Sequence, residues 1–442
     1  MAKQFREWRV DERWLFPPSV RELVPEKHLA HFVRDTVREE LDLSAILDCY
    51  HEERGYPPYH PVMMTALLLY AYSQGVYSSR RIAKGCEQRV DFMAVTGMQK
   101  PDFRTISDFR LRHLKALDGL FGQVLKLCQK AGLVKLGHVA LDGTKVAANA
   151  SKHKAMSYGR MKTTTEELKA EVAKWFAEAE RIDAEEDELY GKDERGDELP
   201  EWVANKQERI AKMKEAMASL EAEAKEKAAE EAAPAEAPEP KAKRGRPAKT
   251  PPGTPEDKAQ RSFTDPESRI MKGRDGFIQG YNCQAAVDAD SQVIVAHDAS
   301  NHANDKRELL PMLERIKRFN GRQAKELSAD TGYCSEENLK GLNRRHIRGY
   351  IATGRQKHGT ASATSDKEFP EDSWRESMRR RLRRGGWNSR YRLRKQTVEP
   401  VFGQAKEARG FRRFLMRGLN KISTEWSLVC TAHNFLKLAA AA

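Results

Sequence analysis

Apolar residues recur every three to four positions through the first third of the chain, which is the spacing of helices that bury one face. One such stretch follows Pro25 and another follows Pro61, and proline is favoured in the first turn of a helix. A longer apolar stripe follows Thr105 and Asp108, whose spacing resembles a capping box at a helix start. Residues 1–135 are therefore predicted to form a helical domain.

The spacing changes after Gly137, where short apolar segments replace the helical pattern. Residues 138–148 predict a buried strand, and 281–298 predict a β-hairpin that turns at 288–291. Helices and strands then alternate, at 305–318 (helix), 325–330 (strand), 335–344 (helix) and 348–352 (strand). This alternation indicates an α/β layer architecture.

A long interruption separates the first predicted strand from the hairpin. Residues 164–190 and 202–232 are rich in Ala, Glu and Lys and each carries an apolar stripe, so we expect two helices folded as an antiparallel hairpin. Residues 234–255 are dominated by Pro, Ala, Lys and Glu and predict a disordered linker. The predicted domains are a helical domain at 1–135, an α/β core at 136–150 and 263–442, and an insertion at 151–262.

The composition indicates a basic protein. The 442 residues contain 78 Lys and Arg against 65 Asp and Glu, a net charge of +13, which favours polyanionic partners. No apolar run approaches the roughly 20 residues that span a bilayer, and the N-terminus is charged where a signal peptide is apolar. The six cysteines include no CxxC pair, which argues against a zinc finger and a disulfide framework. We therefore expect a cytoplasmic protein with no membrane partner.

The helices on either side of Gly75 have the outline of a helix-turn-helix, with Ser78 as the cap of the second helix. In that reading Arg80 and Arg81 of the second helix would contact DNA. Many helical hairpins share this outline, so an ordinary hairpin remains the alternative.

Three acidic residues stand out by their surroundings. Asp142 lies within an apolar strand, Asp330 ends another strand, and Glu399 lies in an apolar segment of a basic region. A carboxylate in an apolar strand is costly unless it is paired or binds a metal, and carboxylates on neighbouring strands would attract Mg²⁺. Two such metals about 4 Å apart support nuclease and phosphodiester-transfer chemistry. Alternatively, Asp142 forms a turn with Gly143, Asp330 caps the next helix and Glu399 pairs with an arginine.

The positive charge is concentrated near the C-terminus. Residues 375–421 contain 16 Lys and Arg and three acids, so this segment carries as much net charge as the whole chain. Aromatic residues interleave with the basic ones, as in surfaces that combine phosphate contacts with base stacking. The alternative is a solvated face. The residues that we expect to contact DNA here are Arg392, Arg394, Lys395, Lys406, Arg409, Arg412 and Arg413.

The linker contains a second candidate for DNA binding, the run KRGRP at 243–247. Arg244 and Arg246 on either side of a glycine match an AT-hook core, which fits the narrow minor groove of A·T-rich DNA. A basic disordered linker could contain such a run by chance.

Together these segments resemble the DDE transposases of bacterial insertion sequences. The similar segments are LDGTKV around Asp142, SADTGYCSEEN around Asp330 and VEPVFGQAKEARGFRRF around Glu399, and also HPVMMTALLLYAYSQGVYSSRRI, PDFRTISDFRLRH and NKISTEWSLVCTAHNFLKL. The resemblance implies an RNase H-like mixed sheet in which the three acids bind two Mg²⁺ ions, with Mn²⁺ able to replace them. It also implies that Lys406 is the basic residue that follows the glutamate.

One part of the family signature is altered. In related groups a tyrosine and an arginine precede the glutamate, with two and then three residues between them. Arg392 and Lys395 stand at those positions here, while Tyr391 and Arg394 are each one place early.

We therefore expect a DNA transposase that binds the terminal inverted repeats of an insertion sequence, cleaves phosphodiester bonds and transfers 3′-hydroxyl ends to target DNA. Two DNA ends must be handled together, so a homodimer or higher assembly on DNA is expected, associated with the nucleoid when bound. Two alternatives remain open: a metal-dependent RNase H-like nuclease without strand transfer, and a non-catalytic DNA-binding protein.

Overall fold

The computed structural model describes residues 19–50, 57–151, 155–190, 201–232, 250–273, 276–354, 363–364 and 368–442. Helices precede a mixed sheet that is flanked by further helices, so the predicted α/β class is confirmed. The AT-hook-like residues Arg244 and Arg246 lie outside the described residues, and their predicted role stays a prediction.

The N-terminal region is helical, as predicted. Its helices are α1 (Leu29–Glu39), α2 (Ser44–Leu47), α3 (Pro61–Ser73), α4 (Ser79–Gln88), α5 (Val90–Thr96), α6 (Phe103–Arg112) and α7 (Leu114–Lys130). Helix α3 is buried on every side from Met64 to Ser73 and is the central helix of this region. In the pair read as a helix-turn-helix, the first helix is therefore a core element, and only α4 presents exposed arginines.

The predicted capping box at Thr105 is wrong. Helix α6 begins earlier, and Asp102 caps it by accepting hydrogen bonds from the backbone N–H groups of Arg104 at 2.7 Å and Thr105 at 3.1 Å. The single long helix expected after Thr105 is also interrupted at His113, which separates α6 from α7. Asp102 rather than Thr105 caps the helix because its carboxylate can accept hydrogen bonds from two N–H groups that have no partner within the helix.

The insertion forms its own small core. Strand β1 (His138–Ala147) leads into β2 (Ala155–Ser157), α8 (Tyr158–Tyr190), α9 (Glu201–Ala232) and β3 (Gln260–Ser262). Contacts of Tyr158 with Glu221, of Thr165 with Met213 and of Glu171 with Lys206 run in opposite directions along the two helices, so the predicted antiparallel hairpin is confirmed. Buried apolar residues of α8 and α9 form a cluster distinct from the main core. The connection at 191–200 and the linker residues 233–249 lie outside the described residues.

The main sheet has an RNase H-like strand arrangement. Its later strands are β4 (Arg269–Gly273), β5 (Gly276–Asp288), β6 (Ile294–Ser300), β7 (Glu326–Ala329) and β8 (Arg348–Ile351). β5 pairs antiparallel with β1, β4 and β6, while β1, β7 and β8 pair in parallel. Two helices accompany the parallel part, α10 (Leu309–Asn320) and α11 (Glu336–Arg344).

The C-terminal helices close the fold. They are α12 (Trp374–Gly385), α13 (Leu393–Gly403) and α14 (Leu419–Ala439). Within α14, the buried Glu425 accepts hydrogen bonds from the backbone N–H groups of Leu415 and Met416, and the indole N–H of Trp426 donates to the Gln284 carbonyl of β5. One contiguous hydrophobic core runs from α1 through the sheet to α14. The division between 1–135 and the α/β core therefore stays a prediction.

Candidate active site

Asp142 lies in β1, and Asp330 directly follows the neighbouring parallel strand β7. Strands β1 and β7 pair His138 with Glu326 and Ala140 with Ser328, and this offset continued by two residues places Asp142 level with Asp330. Level residues on adjacent parallel strands project to the same side of a sheet. The two carboxylates that lie 188 positions apart in sequence are thus brought together by strand register.

Glu399 reaches this region from helix α13, which packs on β1, β5 and β7. Proline is usually found at the start or at a kink of a helix, but α13 begins at Leu393 and continues through Pro400 to Gly403. Proline has no N–H to donate to the carbonyl four residues earlier. The side-chain amide of Gln292 donates to that carbonyl, on Gln396, at 2.9 Å and supplies the missing hydrogen bond.

Arg394 joins two of the three predicted acids. Its Nη1 lies 2.5 Å from Oδ2 of Asp142, and its Nη2 lies 2.9 Å from Oε1 of Glu399. The arginine side chain is 14% exposed, whereas that of Glu399 is 45% exposed. One guanidinium therefore holds the helix carboxylate and the strand carboxylate together.

Burial and neighbouring charges shift the pKa of Asp142 upward. Burial raises the pKa of Asp142 to about 7; Arg394 opposes the rise, while the nearby carboxylates of Asp330 and Asp305 add to it. Burial also raises the pKa of Asp330, with Asp305 contributing to the rise. A carboxyl pKa that is raised by neighbouring carboxylates indicates that the positive charge nearby does not balance the negative charge.

Asp305 is a site residue that we did not identify from the sequence. Its Oδ1 accepts hydrogen bonds from the side-chain amides of Asn282 at 2.7 Å and Gln284 at 2.9 Å, and lies 3.3 Å from Nζ of Lys145. The pattern placed Asp305 at the start of a helix, but α10 begins only at Leu309. Its position in a polar run (Asn-His-Ala-Asn-Asp) directly after β6 was the signal that could have identified it.

Two glycines allow this polar network to approach the strands. A β carbon at Gly143 would lie 2.5 Å from the Gln284 amide nitrogen and 2.7 Å from Asp305 Oδ1. A β carbon at Gly332 would lie 2.9 Å from Asp330 Oδ1 and 3.3 Å from Asp305 Oδ2. A side chain at either position would therefore have to displace polar side chains of the site.

Lys406 and Arg409 are directed into the protein. The Lys406 ammonium donates to the backbone carbonyl of Lys145 in β1 at 2.6 Å, and burial lowers its pKa. Arg409 lies 3.2 Å from Nδ1 of His433 in α14, and burial likewise lowers the pKa of its guanidinium. In this arrangement both residues brace the segment after Glu399 against neighbouring elements.

The other basic residues of the prediction lie on the surface. Arg392 is exposed and stacks on the Trp387 ring at 4.7 Å, while Arg412 pairs with Glu407. Arg80 lies over the Phe103 ring at 5.2 Å. The remaining exposed members of the set are Arg81, Lys395 and Arg413.

The three acids have the oxygen donors that a divalent cation requires, and a bound cation would counteract the raised pKa values of Asp142 and Asp330. However, no group of three or more His, Cys, Asp and Glu side chains among the described residues is arranged to hold a metal ion. The structural roles that we considered as alternatives for the three acids are also present. Asp142 accepts a hydrogen bond from the Gly143 N–H, Asp330 caps a short 3₁₀ turn at Thr331–Tyr333, and Glu399 pairs with Arg394. The carboxylate oxygens thus suit a divalent cation, and the Arg394 guanidinium lies between the carboxylates that would bind it.

An RNase H-like sheet with one acidic residue on β1 and another directly after β7, beside a basic surface, defines a protein of the nucleic-acid-processing class. Comparison with known families narrows the class: a transposase domain family (DUF772) matches residues 18–112, and a transposase DDE domain family matches residues 245–435. Together the two matches cover more than half of the 442 residues. The chain belongs to the DDE transposases of insertion sequences.

The second match includes Asp330 and Glu399, whereas Asp142 precedes it on the other side of the insertion. No curated protein and no solved structure matches the chain. Within the described residues, no helix is both long enough and apolar enough to cross a membrane. Transposase domains act on DNA, so DNA is the partner of this protein.

Proposed function

We propose that Asp142, Asp330 and Glu399 are the catalytic triad of a transposase that cleaves the ends of an insertion sequence and joins them to target DNA. The observation that carries this proposal is the parallel register of β1 and β7, which sets Asp142 beside Asp330, together with Arg394, which pairs with both Asp142 and Glu399. In the first reaction a water oxygen loses a proton to solvent and bonds to phosphorus, while the bond to the 3′ oxygen breaks and that oxygen takes up a proton to become a hydroxyl. In the second the freed 3′-hydroxyl loses its proton to solvent and its oxygen bonds to a target phosphorus, while the target's 3′ oxygen leaves and takes up a proton.

The three carboxylates would hold two divalent cations, Mg²⁺ or in its place Mn²⁺. When bound, such ions increase the acidity of the attacking oxygen and stabilise the charge on the leaving oxygen. The chain itself orients the carboxylates: Asp142 through the Gly143 N–H at 2.9 Å and Asp330 through the Gly332 N–H at 2.7 Å. These backbone contacts hold each carboxylate in one rotamer before DNA arrives.

DNA would lie along the exposed basic residues near α13. Arg392, Lys395, Arg412 and Arg413 are exposed there, so they can contact phosphates. Arg412 would exchange its pairing with Glu407 for such a contact. Arg80 and Arg81 on α4 would add a second contact region. Lys406 and Arg409 would act indirectly, by holding the segment after Glu399 in place.

Substitution of single acids tests the triad. We expect Asp142→Asn, Asp330→Asn and Glu399→Gln each to slow cleavage of DNA carrying the element's ends by about 10³-fold, because each removes several kcal/mol of stabilisation from the transition state. DNA binding, measured by gel shift, should be retained. Asp290→Asn is the matched control, because Asp290 is exposed in the turn between β5 and β6. Cleavage at wild-type rate by any of the three variants would contradict the proposal.

Strand transfer separates a transposase from a nuclease with the same core. Incubation with pre-cleaved ends, a target plasmid and Mg²⁺ should give joined products with the wild type and none with Glu399→Gln. Cleavage without joining would favour the nuclease. Binding without either reaction would favour a non-catalytic DNA-binding protein.

The same proposal includes the assembly and location of the protein. Two element ends must be held for one insertion, so we propose a homodimer or higher assembly on DNA, with the α8–α9 hairpin as a contact between subunits. DNA as substrate also favours a cytoplasmic protein that associates with the nucleoid.

A further inference from the structure

Arg394 was predicted to contact DNA, but its side chain is largely buried and pairs with two of the three acids. Arg394 lies at the start of α13, five residues before Glu399. Its guanidinium contacts both Glu399 and Asp142 on β1. The Tyr391 ring lies 5.9 Å from the guanidinium carbon on another side. The positive charge of Arg394 is thereby held between two carboxylates that come from different elements.

This arrangement satisfies the carboxylates without a metal. Oδ1 of Asp142 accepts from the Gly143 N–H and Oδ2 accepts from Arg394, so both oxygens of this acid already have partners. The guanidinium also neutralises part of the negative charge that would attract a cation. A divalent ion at Asp142 and Glu399 would therefore have to displace Arg394 from at least one of them.

The contacts of the Arg394 guanidinium with the carboxylates do not satisfy all of its N–H donors. Its Nε is buried and has no hydrogen-bond partner, so the internal arrangement leaves one donor unsatisfied. A guanidinium forms paired hydrogen bonds with phosphate oxygens at least as well as with carboxylates. Exposed Arg392 and Lys395 on either side of Arg394 in sequence would bring a DNA phosphate to this position.

We propose that Arg394 is a latch that occupies the carboxylate site in the DNA-free protein and is released by a DNA phosphate, which couples DNA binding to metal binding. The inference rests on the proposed function, since it takes Asp142 and Glu399 as metal ligands. In the DNA-free state the latch lowers the affinity for divalent ions, so that the metal site is completed only on DNA. By linkage, DNA raises metal affinity by the same factor by which metal raises DNA affinity.

Mn²⁺ binding to the full-length protein without DNA tests the latch, measured by calorimetry and by the Mn²⁺-dependent shift in melting temperature. We expect Arg394→Gln to bind Mn²⁺ about tenfold more tightly than the wild type, within the usual range of such couplings. Arg394→Lys should lie between the two, because a single ammonium cannot pair with both carboxylates in the same way. Arg315→Gln is the matched control, because Arg315 pairs with the half-buried Asp298 at 2.7 Å rather than with one of the three acids, and should leave Mn²⁺ affinity unchanged.

A second arm adds a 20-base-pair duplex of unrelated sequence. The duplex should raise Mn²⁺ affinity about tenfold in the wild type and much less in Arg394→Gln, in which the site is already free. Equal Mn²⁺ affinity of Arg394→Gln and wild type, with Asp142→Asn still weakening both, would overturn the latch but leave the triad standing. Mn²⁺ binding that is insensitive to Asp142→Asn would overturn the triad together with the latch.

Discussion

Gly75 lies directly against the backbone carbonyl of Arg409, so that a β carbon at residue 75 would be 2.6 Å from that oxygen. Gly75 follows α3 and has a φ of +72°, a left-handed conformation that glycine adopts without strain. Arg409 follows the π-helical turn at Gln404–Ala408 that extends α13 beyond Glu399. This contact therefore connects the N-terminal helices with the segment that carries the third acid.

Gly75→Ala should destabilise the protein beyond the cost of its backbone conformation. A left-handed alanine costs about 1–2 kcal/mol, and the clash with Arg409 must be relieved in addition, so we expect a loss of about 3 kcal/mol in the free energy of unfolding. Urea denaturation measures the change. Because the clash displaces the segment after Glu399, the cleavage rate should fall as well.

Gly132→Ala is the matched control for this substitution. Gly132 also has a φ of +72°, but a β carbon there would meet no atom within 4 Å. It should cost only the backbone term of about 1–2 kcal/mol and leave cleavage unchanged. Equal losses at both positions would show that the approach to Arg409 has no energetic role.

Gly143→Ala should impair catalysis through the Asp305 network. The new methyl group would displace Asp305 and the Gln284 amide, which lie 2.7 and 2.5 Å from its position. We expect cleavage to slow by about 10²-fold, since displacements of about 1 Å at a reacting site have effects of this size. Initial cleavage rates on a DNA end, with gel shifts to verify binding, measure the effect.

Gly119→Ala provides the comparison, because Gly119 lies in α7 and a β carbon there would meet no atom within 4 Å. Alanine at this helical position should stabilise the protein by up to about 1 kcal/mol and leave cleavage unchanged. A Gly143→Ala enzyme as fast as Gly119→Ala would mean that the Asp305 network does not position the site.

His297 should make folding sensitive to acid. Its ring lies 4.3 Å from that of Phe121, neither ring nitrogen has a hydrogen-bond partner, and burial lowers its pKa to about 3. Because the folded-state pKa is below the unfolded value of about 6.5, the unfolded chain binds the extra proton between these two pH values. This residue's contribution to stability is therefore complete above pH 6.5 and is lost as the pH falls toward 3.

His297→Phe should remove this sensitivity. The slope of unfolding free energy against pH should fall by up to about 1.4 kcal/mol per pH unit between pH 6 and 4, measured by urea denaturation at each pH. His346→Asn is the control, because His346 is exposed and asparagine tolerates its positive φ of 55°. An unchanged slope in His297→Phe would contradict a neutral buried imidazole.

Removal of the α8–α9 hairpin should impair assembly. Deleting 160–232 should abolish paired-end complexes in gel shifts while single-end binding survives, if the hairpin contacts a second subunit. That deletion also removes Glu223, which pairs with the buried Arg261 and with Arg269. A shorter deletion of 172–205 keeps these pairs and rejoins the chain where Glu171 contacts Lys206. Normal paired-end complexes with the shorter deletion would refute the role of the hairpin.

Local patterns were sufficient to predict most elements of the fold. Strands β1, β7 and β8 and the β5–β6 hairpin were identified because alternation and turn residues act between near neighbours in the chain. Asp142 and Asp330 were identified for a similar reason, since a charge within an apolar strand is costly wherever the strand packs. Which elements cover α3 could not be predicted from its own sequence, because one of them is α14, at the other end of the chain.

Contacts between distant residues decided how the site is completed. The pairing of Arg394 with Asp142, the approach of Asp305 to Lys145 and the amide of Gln292 that replaces the proline-lost hydrogen bond each join residues more than 100 positions apart. Residue types and spacing alone could name the acids and the basic segment, because charge and hydrophobicity belong to each residue. Which cation faces which carboxylate is set by strand register and helix packing, and these exist only once the chain has folded.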